Sequence, residues 1–410
     1  MVQREEDGTF SYSGALDFDV ADHVLQRIDE LHSGDEEIVL DLSGLAFVDV
    51  AGCRSLVRAA DWLAPPHRIT VVNAPPALIE TLTLCGWLPH PRLEIHRAAG
   101  LPPVRALPPF RHTVLLYAGI NGFLDAVLPI VRQAATDGAA VKVAVERTRL
   151  EALTEALGEL AEHIELVDMA SVGANPARII AAWRDFVTDN THTGTRMVGI
   201  GEPVWPARSP AELSECQLHE SLLNTAFADA VDFQLFCPYD TTTLPPSVLA
   251  AAAKSHPSRQ QDGVRTASAD YDPNDDLFAA SLPEPPASAP AFTFAAGDLD
   301  ATRAVVARHA GHAGLPAPRT QALVLAVNEA AANSIRHGGG RGTLRIWQDP
   351  ESLVCEVRDA GHIASGLVGR ERPAADSEDG RGLWLVHHLC DLVQIRSNSG
   401  GTAVRMHTRT

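Results

Sequence analysis

Two apolar periods alternate along this chain. Strand-length runs rich in β-branched residues, EEIVLDL (36–42) and RITVVNA (68–74), alternate with CRSLVRAADWL (53–63) and PALIETLTLCGW (76–87), whose apolar positions recur every three to four residues. The same alternation then repeats. HTVLLYA (112–118), AAVKVAVE (139–146), IELVDM (164–169), TRMVGIGE (195–202) and DFQLFCPYD (232–240) read as strands. Intervals such as RLEALTEALGELAEHI (149–164) and PARIIAAWRDFV (176–187) have helical spacing. Alternation of this kind predicts a mostly parallel sheet covered by helices. Beyond residue 290 the order changes to a long helix, two strands (GTLRIWQ and SLVCEVRDAGH), a polar stretch, a further helix and a last strand, GGTAVRMHT. Proline clusters punctuate the chain at LPPVRALPPF (101–110) and SLPEPPASAP (281–290). The second closes a polar tract from about residue 257 that reads as an extended linker. The expected organisation is a domain over 1–97, a second over 110–258, a linker over 259–290 and a third domain over 291–410, in a multidomain protein of α/β and α+β class.

Composition narrows the class. Of the 410 residues 45% are hydrophobic, enough for several cores, yet no apolar run approaches the ~20 residues of a membrane span. The N-terminus, MVQREEDGTF, is acidic and polar, unlike a secretory signal or a transit peptide. Six cysteines (Cys53, Cys85, Cys216, Cys237, Cys355, Cys390) are scattered without a CxxC pair, which fits a reducing compartment. A cytoplasmic location with no membrane contact is expected. The net charge of −19 is uneven: −9 over residues 1–100, −11 over 101–290 and +1 over 291–410, where every base is arginine. Such a chain should not bind nucleic acid directly. Its C-terminal third can tolerate a polyanionic ligand that the rest would repel.

The candidate chemistry starts in the long helix. In LVLAVNEAAANSIRHGGG (323–340), Glu329, Asn333 and His337 recur at four-residue intervals and so stack along one face of an otherwise alanine-rich helix. The glycine run after it frees the backbone from its usual steric limits. Downstream, a strand ends in Asp359-Ala360-Gly361, a polar segment follows, Gly380-Arg381-Gly382-Leu383 opens a helix, and Gly401-Thr402 begins the last strand. These four motifs in this order resemble the GHKL ATPases, with their Bergerat α/β sandwich, and most closely the anti-sigma-factor serine kinases. The resemblance implies ATP and Mg²⁺ as cofactors. Asn333 would offer a hard oxygen to Mg²⁺, and Glu329 would accept a proton from, or orient, the attacking hydroxyl. Asp359 would read the exocyclic amine of adenine, with Gly361 leaving room for the base. Gly380, Arg381 and Gly382 would face the phosphates at a helix N-terminus, and Thr402 would complete the cofactor site. His337 is read as a helix-end cap. The second glycine of the family's D-x-G-x-G is Ile363 here, so a stiffer hinge or weaker ATP binding is expected.

The first segment resembles the STAS fold of anti-sigma-factor antagonists through Asp49-Val50-Ala51-Gly52 at the end of a strand. The family's phosphorylatable serine would stand just before the glycine, and that position is Ala51. The resemblance therefore implies a module held in its unphosphorylated, docking-competent form, acting as a built-in pseudo-substrate in cis or across a dimer. The middle segment resembles the MEDS sensory domain through GEPVWPARSPAELSECQLHESLLNTAF, CPYD and KSHP. It lacks the P-loop and GxGxxG patterns at its strand ends. A small-molecule ligand is expected at the carboxyl ends of its strands, near Glu202, Trp205 and Tyr239. His112, Cys216, His219, Cys237 and His256 match no known metal spacing and are read as core residues.

Taken together, the resemblances imply a bacterial, ATP-binding anti-sigma factor or serine/threonine kinase-type regulator in a partner-switching pathway of transcription control. Its partners would be a sigma factor and a STAS antagonist protein, and it would form a homodimer. The alternatives are a non-catalytic ATP-dependent binding or sensor protein and, more remotely, a histidine-kinase-like protein. The latter is disfavoured because a proline-rich linker and an α/β module, rather than a helix pair, precede the ATP domain.

Overall fold

The structure is a computed structural model and describes residues 2–4, 9–16, 38–62, 68–97, 110–191, 195–230, 232–373 and 381–410. The chain divides into two compact units, residues 1–107 and 108–410.

The first unit is built on a five-stranded sheet in the order β1 (Val2–Arg4), β2 (Phe10–Leu16), β3 (Ile38–Val48), β4 (Ile69–Ala74), β5 (Leu93–Arg97). β1 runs antiparallel to β2 and the others are parallel. Two described helices, α1 (Val50–Trp62) and α2 (Pro76–Leu84), bury Leu56, Ala60, Leu78 and Leu82 against it. At the β3–α1 turn the Asp49 carboxylate accepts from the Gly52 amide at 2.7 Å, satisfying an amide of the first helical turn. Gly52 packs directly on β2, where a Cβ would lie 1.9 Å from the Leu16 carbonyl oxygen. Gly52→Ala is therefore expected to destabilise the first unit by about 3 kcal/mol, the upper end of overpacking costs. In urea this appears as an earlier first transition of the full chain, with the later one unmoved.

The second unit holds two sheets. The first has seven strands in the order β12-β11-β6-β10-β9-β7-β8. They are β6 (Arg111–Tyr117), β7 (Ala140–Val145), β8 (Glu165–Asp168), β9 (Met197–Gly201), β10 (Phe233–Asp240), β11 (Ser258–Gln261) and β12 (Val264–Ala267). All pairings are parallel except the β11–β12 hairpin. Central β10 is buried along its whole length, so it reads as a continuous apolar run, not an alternating one. Helices α3 (Gly119–Thr136) and α4 (Arg147–Leu157) cover one face. Beyond the short α5 (Met169–Val172), helices α6 (Ile179–Thr191), α7 (Pro210–Ala226) and α8 (Pro246–Ser255) cover the other.

The second sheet is antiparallel throughout, in the order β13 (Ala291–Ala295), β14 (Arg341–Gln348), β15 (Ser352–Asp359), β17 (Gly401–Arg409), β16 (Leu392–Asn398). Helices α9 (Leu299–His312), α10 (Ala317–His337) and α11 (Arg381–Leu389) pack on it through one core. In α10 the buried stripe is Leu323, Ala326, Val327, Ala330, Ala331 and Ser334. Glu329 and Asn333 lie beside that stripe and are half-buried.

Residues 259–290, expected as an extended linker, are mostly built into the fold. The 258–267 stretch extends the parallel sheet as β11 and β12. The rest lies along the antiparallel sheet, where the Phe278, Ala279 and Pro283 carbonyls accept from Ser397 N, Asn398 Nδ2 and Arg405 Nη2. Leu282 and Ala289 are buried there. Proline-rich sequence removes amide donors and helical periodicity, but it does not prevent a chain from lying in a groove and offering its carbonyls.

Candidate functional site

The site residues of the third domain converge on a cavity of about 400 Å³ lined by Asn333, Asp359, Gly361, Arg381, Gly382 and Thr402, among others. Gly380 lies outside the described residues. α10 delivers Asn333, and Glu329 one turn earlier stands over the start of α11. A Cβ on Gly382 would lie 3.1 Å from Glu329 Oε2 and 3.5 Å from Asn333 Nδ2. The absence of a side chain at Gly382 is what lets the helix N-terminus approach these two groups. Asn333 Oδ1 accepts from the exposed Arg336 Nη2 at 3.2 Å.

The end of β15 is locked against the end of α10. Asp359 Oδ1 accepts from the Gly361 amide at 2.7 Å, and Oδ2 accepts from Ser334 Oγ at 2.6 Å. The Ala360 amide donates to the Gly338 carbonyl at 3.3 Å. Gly338 has no room for a side chain, since a Cβ would lie 2.4 Å from Asp359 Cγ. Gly339 and Gly340 then turn away at φ 88° and 84°, a conformation that glycine adopts without strain. Each Asp359 oxygen keeps a lone pair for a further donor. Thr402 Oγ1 donates to the Gly361 carbonyl at 2.9 Å and is bonded to Ser397 Oγ, also at 2.9 Å. Ser397 Oγ accepts from the Ile363 amide at 2.9 Å. Ile363, standing where the family has glycine, is thus anchored through its backbone, while its side chain packs on the core.

Two groups escaped the reading from sequence. Ser334 orients Asp359 but looks like one more small residue on an alanine helix. Ser397 ties the 361–363 turn to the sheet, and a serine within a strand carries no motif. His337 lines the cavity at its exposed edge.

The middle domain holds two segments that adjoin this cavity, residues 370–372 just after the lining residue Val368 and the far end of the helix α11 whose start lines it. On α7, Glu215 is fully buried and pairs with Arg370 Nη2 and Arg396 Nη1, each at 2.7 Å. Arg184 and Asp185 on α6 reach Glu371 and Arg372 at 2.9 and 3.0 Å. At the other end of the segment, Arg178 donates to the carbonyls of His387, His388 and Cys390, and Asn175 Nδ2 to that of His387. This guanidinium and this amide satisfy carbonyls at the end of α11, the negative end of its dipole.

Glu202, Trp205 and Tyr239 do not form one group. The Tyr239 hydroxyl donates to Glu220 on the α7 side, whereas Glu202 accepts from the Tyr117 hydroxyl at 2.5 Å and pairs with Arg149 at 3.3 Å. Burial pushes the Glu202 carboxyl up to about 8 against the opposing pull of Arg149 and the Tyr117 hydroxyl. Trp205 lies under the Arg208 guanidinium at 3.7 Å. Of the five candidate ligands read as core, His112, Cys237 and His256 meet around Glu220. Cys216 instead donates to the Pro203 carbonyl at 3.3 Å, and His219 is buried elsewhere on α7.

In the first unit, Ala51 is the second residue of α1 and is half-buried. Phe47 and Val50, close to it in sequence, are apolar and 57% and 55% exposed.

No helix among the described residues is long and apolar enough to cross a membrane. Comparison with known proteins gives three family matches. Residues 2–88 match the Mlab, STAS domain, residues 111–257 the methanogen/methylotroph, DcmR sensory (MEDS) domain, and residues 292–408 the histidine kinase-like ATPase domain. The last implies nucleotide binding. No curated protein matches the chain. Among solved structures, that of the RsbU and RsbW domains of a Mycobacterium tuberculosis protein is similar at 17% identity and a TM-score of 0.23. The match covers 29% of this chain and 32% of that one. The chain thus carries, in order, a STAS domain, a MEDS sensory domain and a histidine kinase-like ATPase domain.

Proposed function

We propose that this chain is an Mg-ATP-dependent regulator of a partner-switching pathway, and that its third domain transfers phosphate to the serine of a separate STAS protein. The observation that carries this reading is the convergence of Asn333, Asp359, Gly361, Arg381, Gly382 and Thr402 on one cavity, with Glu329 against Gly382 at its edge. Asn333 Oδ1 offers Mg²⁺ a neutral oxygen once the exposed Arg336 swings away. Asp359, held by Ser334 and the Gly361 amide, keeps acceptor capacity for an adenine amine. The start of α11 and Arg381 supply amide and guanidinium donors to phosphates. Glu329 is placed to take the proton of an incoming hydroxyl. ATP, when bound, supplies the phosphoryl group.

Ala51 excludes phosphorylation of the chain's own STAS domain at that position, so the acceptor is another molecule. The exposed Phe47 and Val50, close to it in sequence, suit a protein partner. The sensory domain acts through its hold on residues 370–372 and the end of α11: a ligand that shifts α6 or α7 moves the segment after Val368 and the helix whose start lines the nucleotide cavity. Incubation with radiolabelled ATP and candidate STAS proteins tests the reading. Label on a partner serine is expected. ATP-dependent capture of a sigma factor or STAS protein without label would assign the chain to the non-catalytic class.

A further inference from the structure

Four ligand-bearing side chains from four different elements meet in the interior of the sensory domain. His112 comes from the start of β6, Glu220 from α7, Cys237 from the middle of β10 and His256 from the residue after α8. Parallel pairing sets Leu235 opposite His112, so Cys237, two residues on, points to the same face of the sheet. All four residues are at most 2% exposed.

The proton positions can be assigned from their partners. His256 Nδ1 lies 2.7 Å from the Ala252 carbonyl, which only accepts, so Nδ1 carries the hydrogen. In the neutral ring its Nε2 presents a lone pair, and that atom finds no hydrogen-bond partner among the described residues. His112 Nδ1 faces Asn224 Oδ1 at 3.2 Å. The amide orientation is fixed because Asn224 Nδ2 donates to the Ser255 carbonyl at 2.7 Å. His112 Nδ1 is therefore the donor as well, and in the neutral ring its Nε2 points a lone pair at Glu220 Oε2 (3.0 Å) and Cys237 Sγ (3.3 Å). His256 Nε2 is 3.3 Å from the same carboxylate oxygen. The other oxygen, Oε1, is held by the Tyr239 hydroxyl at 3.4 Å. Two imidazole lone pairs, a carboxylate oxygen and a sulfur thus face one point, with their outer atoms fixed by hydrogen bonds.

We propose that His112, Glu220, Cys237 and His256 form a tetrahedral site for a divalent transition metal, zinc being the best match. Zn–N bonds of ~2.0 Å and a Zn–S bond of ~2.3 Å put ligand atoms roughly 3.3–3.5 Å apart in a tetrahedron. The atoms here are separated by 3.0–3.3 Å at the closest contacts, and all lie within 4.8 Å of one another. A thiolate and a carboxylate with two neutral imidazoles cancel the charge of a divalent cation, as an anhydrous site requires. The Nδ1 hydrogen bonds to a carbonyl and an amide are the outer contacts that orient histidine ligands in metal sites. The mixed nitrogen, sulfur and oxygen set disfavours calcium and magnesium, which take oxygen alone.

The full chain, refolded under reducing conditions with zinc or cobalt(II), tests this. About one metal ion per chain is expected by elemental analysis, with a raised melting temperature. The cobalt form should show a thiolate-to-metal charge-transfer band and intense tetrahedral d–d absorption. Cys237→Ser should lose the charge-transfer band, and His256→Gln should weaken binding at least tenfold, while Cys216→Ser should retain both features. Failure of the unaltered chain to take up zinc or cobalt overturns the proposal without recourse to any variant. A cobalt spectrum lacking the thiolate band, or one that survives in a folded Cys237→Ser chain, overturns it too. Either result would leave Glu220 paired with a protonated histidine.

Discussion

Glu215→Ala is expected to destabilise the unit of residues 108–410 by about 3–5 kcal/mol, the cost of removing one partner from a buried ion cluster. Glu215 is the anion shared by Arg370 and Arg396, and all three side chains are at most 5% exposed. Without it two guanidiniums stay buried with no counter-ion among the described residues, and desolvation already works against the charge of Arg370. Because Glu215 belongs to the sensory domain and both arginines to the ATPase domain, the loss should also uncouple the two, exposing residues 362–373 to proteolysis. Glu215→Gln should cost less, since it keeps hydrogen-bonding capacity. Combining Glu215→Leu with Arg370→Met and Arg396→Met should recover much of the loss, as apolar replacement of buried ion clusters often does. Urea midpoints and proteolysis rates check this series. A loss below about 1 kcal/mol in Glu215→Ala, typical of an exposed pair, would remove the ion cluster as the element joining the domains.

Glu329→Gln should lower phosphoryl transfer by about 10²–10⁴-fold, the range for a general base, while ATP affinity changes little. The carboxylate stands over the start of α11, 3.1 Å from where a Gly382 Cβ would be, and is half-buried. It is thus placed to act on a group arriving at the phosphate end of the cavity. Glutamine retains the size and loses the basicity. Single-turnover transfer from ATP to a STAS partner separates chemistry from binding. Equal losses of affinity and turnover would make Glu329 a structural residue of the α10–α11 contact.

Much of this site could be read from the chain because each motif states a local physical need. Four-residue spacing places Glu329 and Asn333 on one helix face, and the glycines at 338, 361 and 382 stand where a Cβ would strike Asp359, the His337 carbonyl or Glu329. What escaped notice depends on contacts distant in sequence. Ser334 and Asp359 are 25 residues apart, and Glu215 and Arg370 are 155 apart. Neither pair leaves a periodic trace. His112, Cys237 and His256 were noticed but read as core, and Glu220 went unnoticed, for the same reason: the four sit on separate elements and share no short spacing. The 258–267 hairpin was missed because β12 is the edge strand and β11 its neighbour, both mostly polar and exposed, so they lack the apolar alternation of a half-buried strand.

The central claim is that the third domain binds Mg-ATP through Asn333 and Asp359, and calorimetric titration tests it most directly. Mg-ATP titrated into the full chain should give one saturable site whose affinity drops at least tenfold when magnesium is chelated. Asn333→Ala should abolish that magnesium dependence, and Asp359→Asn should weaken adenine nucleotides while reducing the preference over GTP. An Asn333→Ala chain that binds ATP with the same affinity and the same magnesium dependence as the unaltered one would contradict the account.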